Sequence, residues 1–284
     1  MSRLNLLFLG LVFASGLCGC LSLDPFLYTP DRVEAYHFEF DGGVPEERVE
    51  ASQFTLVSVK EPNGISLSAI TVKATVQPPT AYAIFFHGKG NTMEGEFGRV
   101  KRLANMGFDV LDFDYRGFGT STDVAPTEDG VDEDSKTMLE WWVAQGVPRS
   151  QIFYYSHSFG TAVAAQRAMK DPTYLMVLES PFASLAEFKT DASSLDFPIS
   201  FLARDTWDTK GRVSQLHIPL ILIHGIEDRY VRPLFSQQIY DASPEAPADK
   251  KLILVPGADH DDSPTRMGAA FASVLTEWVA RYRP

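Results

Sequence analysis

The sequence predicts an α/β fold in which helices cover both faces of a mostly parallel central sheet. Apolar runs such as AYAIFFHG and LILIHG are continuous, which is typical of strands that are buried on both faces. Helical patterns lie between these runs, and strands that alternate with helices favour parallel pairing. The chain has 284 residues, 45% of them hydrophobic, which is enough for one sizeable core.

The predicted elements begin with a hairpin, because QFTLVSV and ISLSAITVKA flank EPNG, and Asn63-Gly64 is a strong turn signal. Further strands are expected at AYAIFFHG, DVLDFDYRG, QIFYYSHS, YLMVLESP, LILIHG and KLILVPG. Helices are expected at GEFGRVKRLANMG, GVDEDSKTMLEWWVAQG, FGTAVAAQRAMK and at residues 234–242 and 265–282. Residues 182–212 lack a strand pattern, so we expect one or two short helices there, forming a small cap over the sheet edge.

The first twenty residues have the pattern of an export signal. Arg3 supplies a positive start, and the stretch from Leu4 to Leu17 is mostly apolar but short for a membrane span. LCGC follows, and this order of leucine, small residue and cysteine resembles the lipobox of bacterial lipoproteins. In that family cleavage occurs just before the cysteine, here Cys20, which is acylated. A plain signal peptide with a chance cysteine, and an uncleaved membrane anchor, are the alternatives.

This interpretation divides the chain into a lipoprotein signal peptide (1–19), a tether with an irregular lead-in (20–50) and a single domain (51–284). It implies an exported protein that is held on a bacterial membrane by lipid at Cys20. Leu21 lacks the aspartate of inner-membrane lipoproteins, which favours the outer membrane in a diderm. Cys18 and Cys20 are the chain's two cysteines, so the mature domain would have no disulfide. The net charge of −12 argues against a nucleic-acid partner.

Polar motifs follow the predicted strands at the points where they end. They are His87-Gly88, Asp114 to Gly117, Ser156 to Ser158, Glu179 to Pro181, His224 to Asp228 and Gly257 to His260. Because the carboxyl ends of parallel strands meet at one edge of a sheet, we expect a ligand site there. Glu179 and Arg116 are expected to pair and to hold loops at this edge.

The segment SHSFG, residues 156–160, has the pattern of a tight strand-to-helix turn that exposes a nucleophilic serine. Such a turn requires small residues two positions before and two positions after the nucleophile. Ser156 and Gly160 meet this requirement around Ser158, although glycine is usual at the position of Ser156. Centring the turn on Ser156 instead would place Tyr154 at a flank. Ser158 is therefore the candidate nucleophile, and His157 is expected to point away from it as a turn residue.

A serine hydroxyl becomes a good nucleophile only when a base accepts its proton. Among the six histidines, His260 in PGADH lies on a loop that is free to reach the site. Asp228 in HGIEDRYV is the candidate acid that orients the imidazole, and its neighbour Glu227 is the competing acid. The three candidates follow one another along the chain as serine, aspartate and histidine.

These motifs together resemble those of serine hydrolases with the α/β-hydrolase fold, in a cap-poor branch of esterases, thioesterases and proteins labelled serine peptidases. FFHGKGN resembles the oxyanion loop, DYRGFGTS the following strand end and SHSFG the nucleophile turn, and the similarity runs from about residue 52 to the C-terminus. It implies that Ser158 is the nucleophile, Asp228 the acid and His260 the base. It also implies an oxyanion hole formed by the backbone N–H groups of Phe159 and Lys89.

The resemblance implies an acyl-enzyme mechanism that needs no metal or cofactor and that cleaves carboxylic esters or thioesters. A serine peptidase of the same fold and a non-catalytic binding lipoprotein are the alternatives. A lipid anchor at Cys20 favours a small-molecule or lipid-like acyl substrate. The ammonium group of Lys89 either attracts an anionic substrate or is simply solvated.

Overall fold

A computed structural model describes residues 28–41, 44–192 and 205–284. The strands are β1 (Phe54–Lys60), β2 (Ser66–Val72), β3 (Ala81–Phe86), β4 (Phe108–Phe113), β5 (Ile152–His157), β6 (Met176–Glu179), β7 (Leu220–Gly225) and β8 (Lys250–Val255). The α-helices are α1 (Phe97–Asn105), α2 (Glu128–Ala144), α3 (Phe159–Ala168), α4 (Leu185–Ala192), α5 (Thr209–Val213), α6 (Pro233–Ala242), α7 (Ser263–Met267) and α8 (Ala269–Tyr282).

The eight strands form one sheet in the order β1-β2-β4-β3-β5-β6-β7-β8. β1 and β2 are the predicted hairpin, and β2 is also antiparallel to β4. All remaining neighbours are parallel, so the strands from β3 to β8 end at the same edge. The prediction of a mostly parallel sheet is confirmed.

Alternate residues of each central strand pack into two separate hydrophobic clusters, one on each face of the sheet. In β3, Ile84 and Phe86 belong to the cluster under α2, α3 and α6, whereas Phe85 belongs to the other. The second cluster contains the apolar faces of α1 and α8. Burial on both faces explains why these strands are apolar at every position.

Two predicted helices differ from the sequence expectation at their ends. α2 begins at Glu128, two residues earlier than expected, because the Thr127 hydroxyl caps it by accepting a hydrogen bond from the Gly130 N–H group. The predicted helix 265–282 is split into α7 and α8 by Gly268, whose φ of 53° and ψ of −129° lie outside the right-handed helical region.

The described part of the expected tether, residues 28–41 and 44–50, is not free but packs on the domain. Tyr28 is fully buried between Phe159 and Trp207, with ring centroids 5.5 and 6.2 Å away. The Tyr36 hydroxyl donates a hydrogen bond of 2.5 Å to Asp114. Aromatic residues in this segment, which the sequence reading left unassigned, supply apolar area that the domain buries.

The expected cap is represented by two short helices, α4 and α5, on either side of residues 193–204. The middle of the expected cap, the signal peptide and Cys20 lie outside the described residues. Within the parts of the chain that the structure describes, no helix has the length and hydropathy needed to cross a membrane.

Candidate active site

Ser158 lies in a sharp turn between β5 and α3, with a φ of 50° and a ψ of −119°. This positive-φ conformation is costly for a residue with a side chain, and such strain concentrates at functional sites. The turn is possible because residue 160 is glycine: a Cβ atom on Gly160 would lie 1.9 Å from the carbonyl oxygen of Phe86. The structure therefore provides the predicted strand–turn–helix around Ser158.

Ser156 occupies the position at which glycine is usual, and the turn accommodates its side chain. Its hydroxyl is buried and donates a hydrogen bond of 3.0 Å to the carbonyl oxygen of Val177 on the neighbouring strand β6. The added oxygen therefore has a partner, which offsets the cost of burying it.

The structure brings Ser158, His260 and Asp228 into one hydrogen-bonded chain. His260 Nε2 lies 2.9 Å from Ser158 Oγ, and His260 Nδ1 lies 2.7 Å from Asp228 Oδ2. Both distances are within the range needed for proton transfer between a nucleophile and a base. The imidazole of His260 is only partly buried, so it borders the space that a substrate would occupy.

Asp228 is held by more groups than His260 alone. Its Oδ1 accepts hydrogen bonds of 2.8 Å from the N–H groups of Tyr230 and Val231. His224, which is fully buried, lies with its Nε2 3.1 Å from Asp228 Oδ2. Burial opposes ionisation, but the hydrogen bonds from His224 and His260 outweigh it, and the pKa of Asp228 falls well below its usual value. The carboxylate is therefore ionised at neutral pH.

Glu227, the competing acid, is exposed. No hydrogen bond joins its carboxylate to His260 among the described residues. The sequence order alone left the two neighbouring acids as alternatives, and the geometry favours Asp228.

The two backbone groups expected to form an oxyanion hole lie on either side of Ser158. Phe159 begins α3, directly after Ser158. Gly88, which precedes Lys89, passes so close to Ser158 that a Cβ atom on it would lie 3.4 Å from the Cβ of Ser158. Within the described residues neither the Phe159 nor the Lys89 N–H group donates a hydrogen bond, so both are available to a ligand.

The Lys89 side chain is exposed, and no ion pair joins it to another described residue. Partial desolvation lowers the pKa of its ammonium group.

His157 is part of a buried ionic network rather than a simple turn residue, and among the described residues it makes no hydrogen bond to Ser158. Its Nδ1 lies 3.0 Å from Glu96 Oε1, and its Nε2 lies 3.1 Å from the carbonyl oxygen of His260. Arg99 joins the network with Nη1 2.6 Å from Glu96 and Nη2 2.8 Å from Glu179. Sequence reasoning missed Glu96, which directly precedes α1, and Arg99 within it, because neither carries a local motif.

The prediction that Glu179 pairs with Arg116 is wrong. Glu179 faces Arg99, whereas Arg116 binds Asp134 at 2.6 Å and Glu61 at 3.2 Å. Arg99 therefore balances the charge of Glu179, and Arg116 has other acidic partners.

Three side chains of the described residues, His157, His260 and Asp261, place their metal-ligating atoms within 4.8 Å of one another. Both ring nitrogens of each histidine already lie within hydrogen-bond distance of another group. A metal ion here would have to displace these contacts and would occupy the position of the candidate base.

Phe159, directly after Ser158, belongs to a buried aromatic cluster. The ring of Phe159 packs against Trp207, Tyr28 and Tyr115, with centroid distances of 4.9, 5.5 and 6.1 Å. The exposed side chain of Tyr230 (78%) lies next to His260, with ring centroids 5.7 Å apart. The candidate base therefore has an exposed aromatic side chain beside it.

Comparison with known proteins is consistent with this geometry. Residues 77–195 match a family model described as serine aminopeptidase, S33. An uncharacterized protein of Mycobacterium tuberculosis is 34% identical over 164 residues, which cover 56% of this chain and 56% of that protein. The lysophosphatidylserine lipase ABHD12 of Danio rerio is 26% identical over 57% of this chain and 47% of its own length. This chain thus matches only about half of the length of these relatives.

Two solved structures resemble the whole domain. An esterase of Pyrococcus furiosus superposes with a TM-score of 0.67 at 20% identity, covering 90% of this chain and 98% of its own. The esterase domain of a Rhodothermus marinus protein gives a TM-score of 0.63 at 22% identity, covering 82% of this chain and all of its own. With its sheet order, its strained serine turn and these neighbours, the chain has the α/β-hydrolase fold.

Proposed function

We propose that the protein is a serine hydrolase that cleaves carboxylic esters or thioesters, with Ser158 as nucleophile, His260 as base and Asp228 as acid. The observation that carries the proposal is the continuous hydrogen-bonded chain from Ser158 Oγ through His260 to Asp228, at 2.9 and 2.7 Å. It starts at a serine in a strained turn, which structural stability alone does not require.

In the proposed reaction His260 Nε2 accepts the Ser158 proton while Oγ bonds to the acyl carbon. The negative charge that develops on the carbonyl oxygen is stabilised by the N–H groups of Phe159 and Lys89, and each such donor typically contributes about 10²–10³-fold in rate. His260 then donates the proton to the leaving alcohol or thiol, whose bond to the acyl carbon breaks. Water, deprotonated by His260, attacks the acyl-enzyme and releases a carboxylic acid and free Ser158.

Two observations support an apolar acyl substrate. The exposed ring of Tyr230 lies 5.7 Å from the ring of the proposed base His260, and aromatic side chains are typical of the lining of sites for apolar ligands. The lysophosphatidylserine lipase named above and the two esterases also act on acyl esters by name, although identity to them is low.

Ester cleavage is favoured over the serine peptidase alternative, which rests on the description of the matched family model. An amine leaving group requires more complete protonation than an alcohol or a thiol. A panel of p-nitrophenyl esters, acyl thioesters and aminoacyl amides with matched acyl groups separates the two. We expect ester and thioester turnover to exceed amide turnover by at least about 100-fold, and equal turnover contradicts the preference.

We further propose that Cys20 carries lipid and anchors the exported protein to the membrane. The first described residue, Tyr28, is fully buried beside Phe159. A chain of eight residues spans at most about 28 Å, so an anchor at Cys20 keeps the candidate site close to the bilayer surface. This proximity fits a lipid-like substrate.

The anchor is tested by growing cells with an alkyne fatty acid and following the tagged protein in membrane fractions. Cys20→Ser should lose the label and leave the membrane, whereas Cys18→Ser, the matched control, should keep both. Equal labelling of the two variants contradicts the assignment of Cys20. A binding lipoprotein without activity is excluded if the soluble fraction of Cys20→Ser still reacts with a fluorophosphonate at Ser158.

A further inference from the structure

We propose that His157 is a positioning residue: its Nε2–H group holds the backbone carbonyl of His260 and thereby fixes the imidazole of His260 relative to Ser158. The inference rests on the proposed function, because it gives His157 a task in orienting the proposed base. Among the described residues His157 makes no hydrogen bond to Ser158 Oγ, and it acts through His260.

The loop that carries His260 is held at two successive carbonyl groups. The carbonyl oxygen of His260 accepts hydrogen bonds from His157 Nε2 at 3.1 Å and from Ser180 Oγ at 3.0 Å. The next carbonyl oxygen, that of Asp261, accepts from Arg99 Nη2 at 2.8 Å. The donors come from the ends of β5 and β6 and from α1, so three rigid elements fix one loop. A side chain on a loop held in this way is more precisely placed than one on a free loop.

The contacts of His157 require a proton on both of its ring nitrogens. Nδ1 faces Glu96 Oε1 at 3.0 Å, and Nε2 faces a carbonyl oxygen, and each of these oxygens can only accept. Burial and the charge of Arg99 lower the pKa of His157, but Glu96 and Glu179 outweigh them, and its pKa is raised above the ordinary value of 6.5. The two acceptor contacts and the direction of the pKa shift both favour the doubly protonated ring.

The charges around His157 balance. Glu96 faces it from the start of α1, which it precedes, and Arg99 lies within α1. Glu179 lies at the end of β6, and Asp261, whose side chain is 69% exposed, is on the loop of His260. His87, at the end of β3, also interacts with Glu96. Buried Arg99 and His157 thus face buried Glu96 and Glu179, two positive against two negative groups. Loss of the His157 proton leaves an unbalanced buried negative charge, which is costly.

The direction of the His157 pKa shift tells on which side of neutral pH these hydrogen bonds are lost. The doubly protonated ring is complete below the ordinary pKa of 6.5, and it is lost only as the pH rises through the raised pKa of His157. The deprotonated ring presents a lone pair to one of its two oxygen partners. We expect turnover to decline on the alkaline side because of this loss.

Two substitutions of equal charge separate the contact from the mere presence of a polar residue. In His157→Gln the amide nitrogen occupies nearly the position of Nε2 and still reaches the His260 carbonyl. In His157→Asn it occupies nearly the position of Nδ1 and reaches only Glu96. Rates are measured on the full chain as kcat and KM for p-nitrophenyl acetate and as the second-order rate of fluorophosphonate labelling at Ser158.

We expect His157→Gln to keep kcat within about threefold of the unsubstituted protein and to lose the alkaline decline. His157→Asn should lower kcat by about 10- to 100-fold with little change in KM, as expected for a misplaced base. Ser180→Ala, which removes the second donor to the same carbonyl, should lower kcat about three- to tenfold. Asp132→Asn is the control, because it breaks another buried ion pair, with Arg167, remote from the site.

Equal rates for the Gln and Asn variants, or an alkaline decline that persists in His157→Gln, overturn the inference. If both His157 variants fail to fold, unchanged labelling in Ser180→Ala overturns it and slower labelling supports it. The proposed function is tested separately in the same experiment. If the unsubstituted protein is not labelled at Ser158, the hydrolase proposal itself fails, whereas strong labelling with indistinguishable variants removes only the role of His157.

Discussion

Asp228 Oδ2 lies 2.7 Å from His260 Nδ1, a contact between two loops that are 32 positions apart in the chain. The ionised carboxylate keeps a proton on Nδ1, which leaves Nε2 free to accept the Ser158 proton. His224 and two backbone N–H groups fix the carboxylate in turn. The acid that orients the proposed base is thus held by groups at the end of β7 and in the loop that follows it.

Asp228→Asn should lower kcat by about 10³- to 10⁴-fold, because an amide no longer holds the imidazole in the required tautomer. The fold should persist, since the side chain keeps its volume. Glu227→Gln is the matched control at the neighbouring position and should stay within about twofold. Steady-state hydrolysis of p-nitrophenyl acetate measures both, and a larger loss in Glu227→Gln would transfer the role of the acid to Glu227.

Gly160→Ala should destabilise the protein by about 3 kcal/mol and slow labelling of Ser158, because the new methyl group would lie 1.9 Å from the Phe86 carbonyl oxygen. Gly146→Ala is the control for an added methyl group without a clash, since no atom lies within 4 Å of the added Cβ and only the positive φ of 95° opposes the side chain. The control should cost about 1 kcal/mol and leave labelling unchanged. Urea unfolding measures the loss in free energy of unfolding for both variants. Equal losses would mean that the turn around Ser158 relaxes to accommodate the methyl group.

Tyr28→Ala should lower the free energy of unfolding by about 3–5 kcal/mol, because it leaves a cavity beside Phe159 and Trp207. Tyr28→Phe keeps the ring but loses the hydroxyl contacts with Asp205 and Trp207. It should cost about 1–2 kcal/mol. Thermal unfolding ranks the variants, and wild-type stability in Tyr28→Ala would show that the N-terminal segment is not part of the folded domain.

Glu96→Gln should be less stable than the unsubstituted protein by about 3 kcal/mol at pH 7, because Arg99 and His157 lose a charged partner. Burial raises the pKa of Glu96, but the charges of Arg99 and His157 outweigh it and lower the pKa below the ordinary 4.5. The stabilisation is therefore complete above pH 4.5 and is lost as the pH falls towards the lowered pKa. Urea unfolding between pH 3 and 7 should show the difference between the two proteins shrinking on the acidic side. A difference that stays constant with pH would mean that Glu96 is not ionised in the folded state.

The sheet and the three residues of the hydrogen-bonded chain could be predicted because their signals are local. Apolar runs mark buried strands, and the small residues flanking Ser158 reflect the sterics of one turn. His260 and Asp228 follow strands, and parallel strands bring their ends together whatever the details of packing. None of these three sequence signals depends on which helix covers which face of the sheet.

The groups behind His260 could not be predicted, because they depend on how α1 packs on the sheet. Glu96 and His157 are 61 positions apart, and no motif links them. The sequence reading treated His157 as a turn residue and paired Glu179 with the wrong arginine for this reason. Tyr28 was likewise assigned to a tether, because burial of a single aromatic residue in an irregular segment has no periodic pattern.

The central claim is that Ser158 is an activated nucleophile, and covalent labelling by a fluorophosphonate tests it most directly. Intact-mass measurement should show one adduct on the unsubstituted protein, with peptide mapping placing it on Ser158. Ser158→Ala should show none, should lose ester turnover by at least about 10³-fold and should unfold at an equal or higher temperature. Ser156→Ala, two residues away, should keep its adduct. An unlabelled protein with an intact fold, or an adduct that persists in Ser158→Ala, contradicts the account.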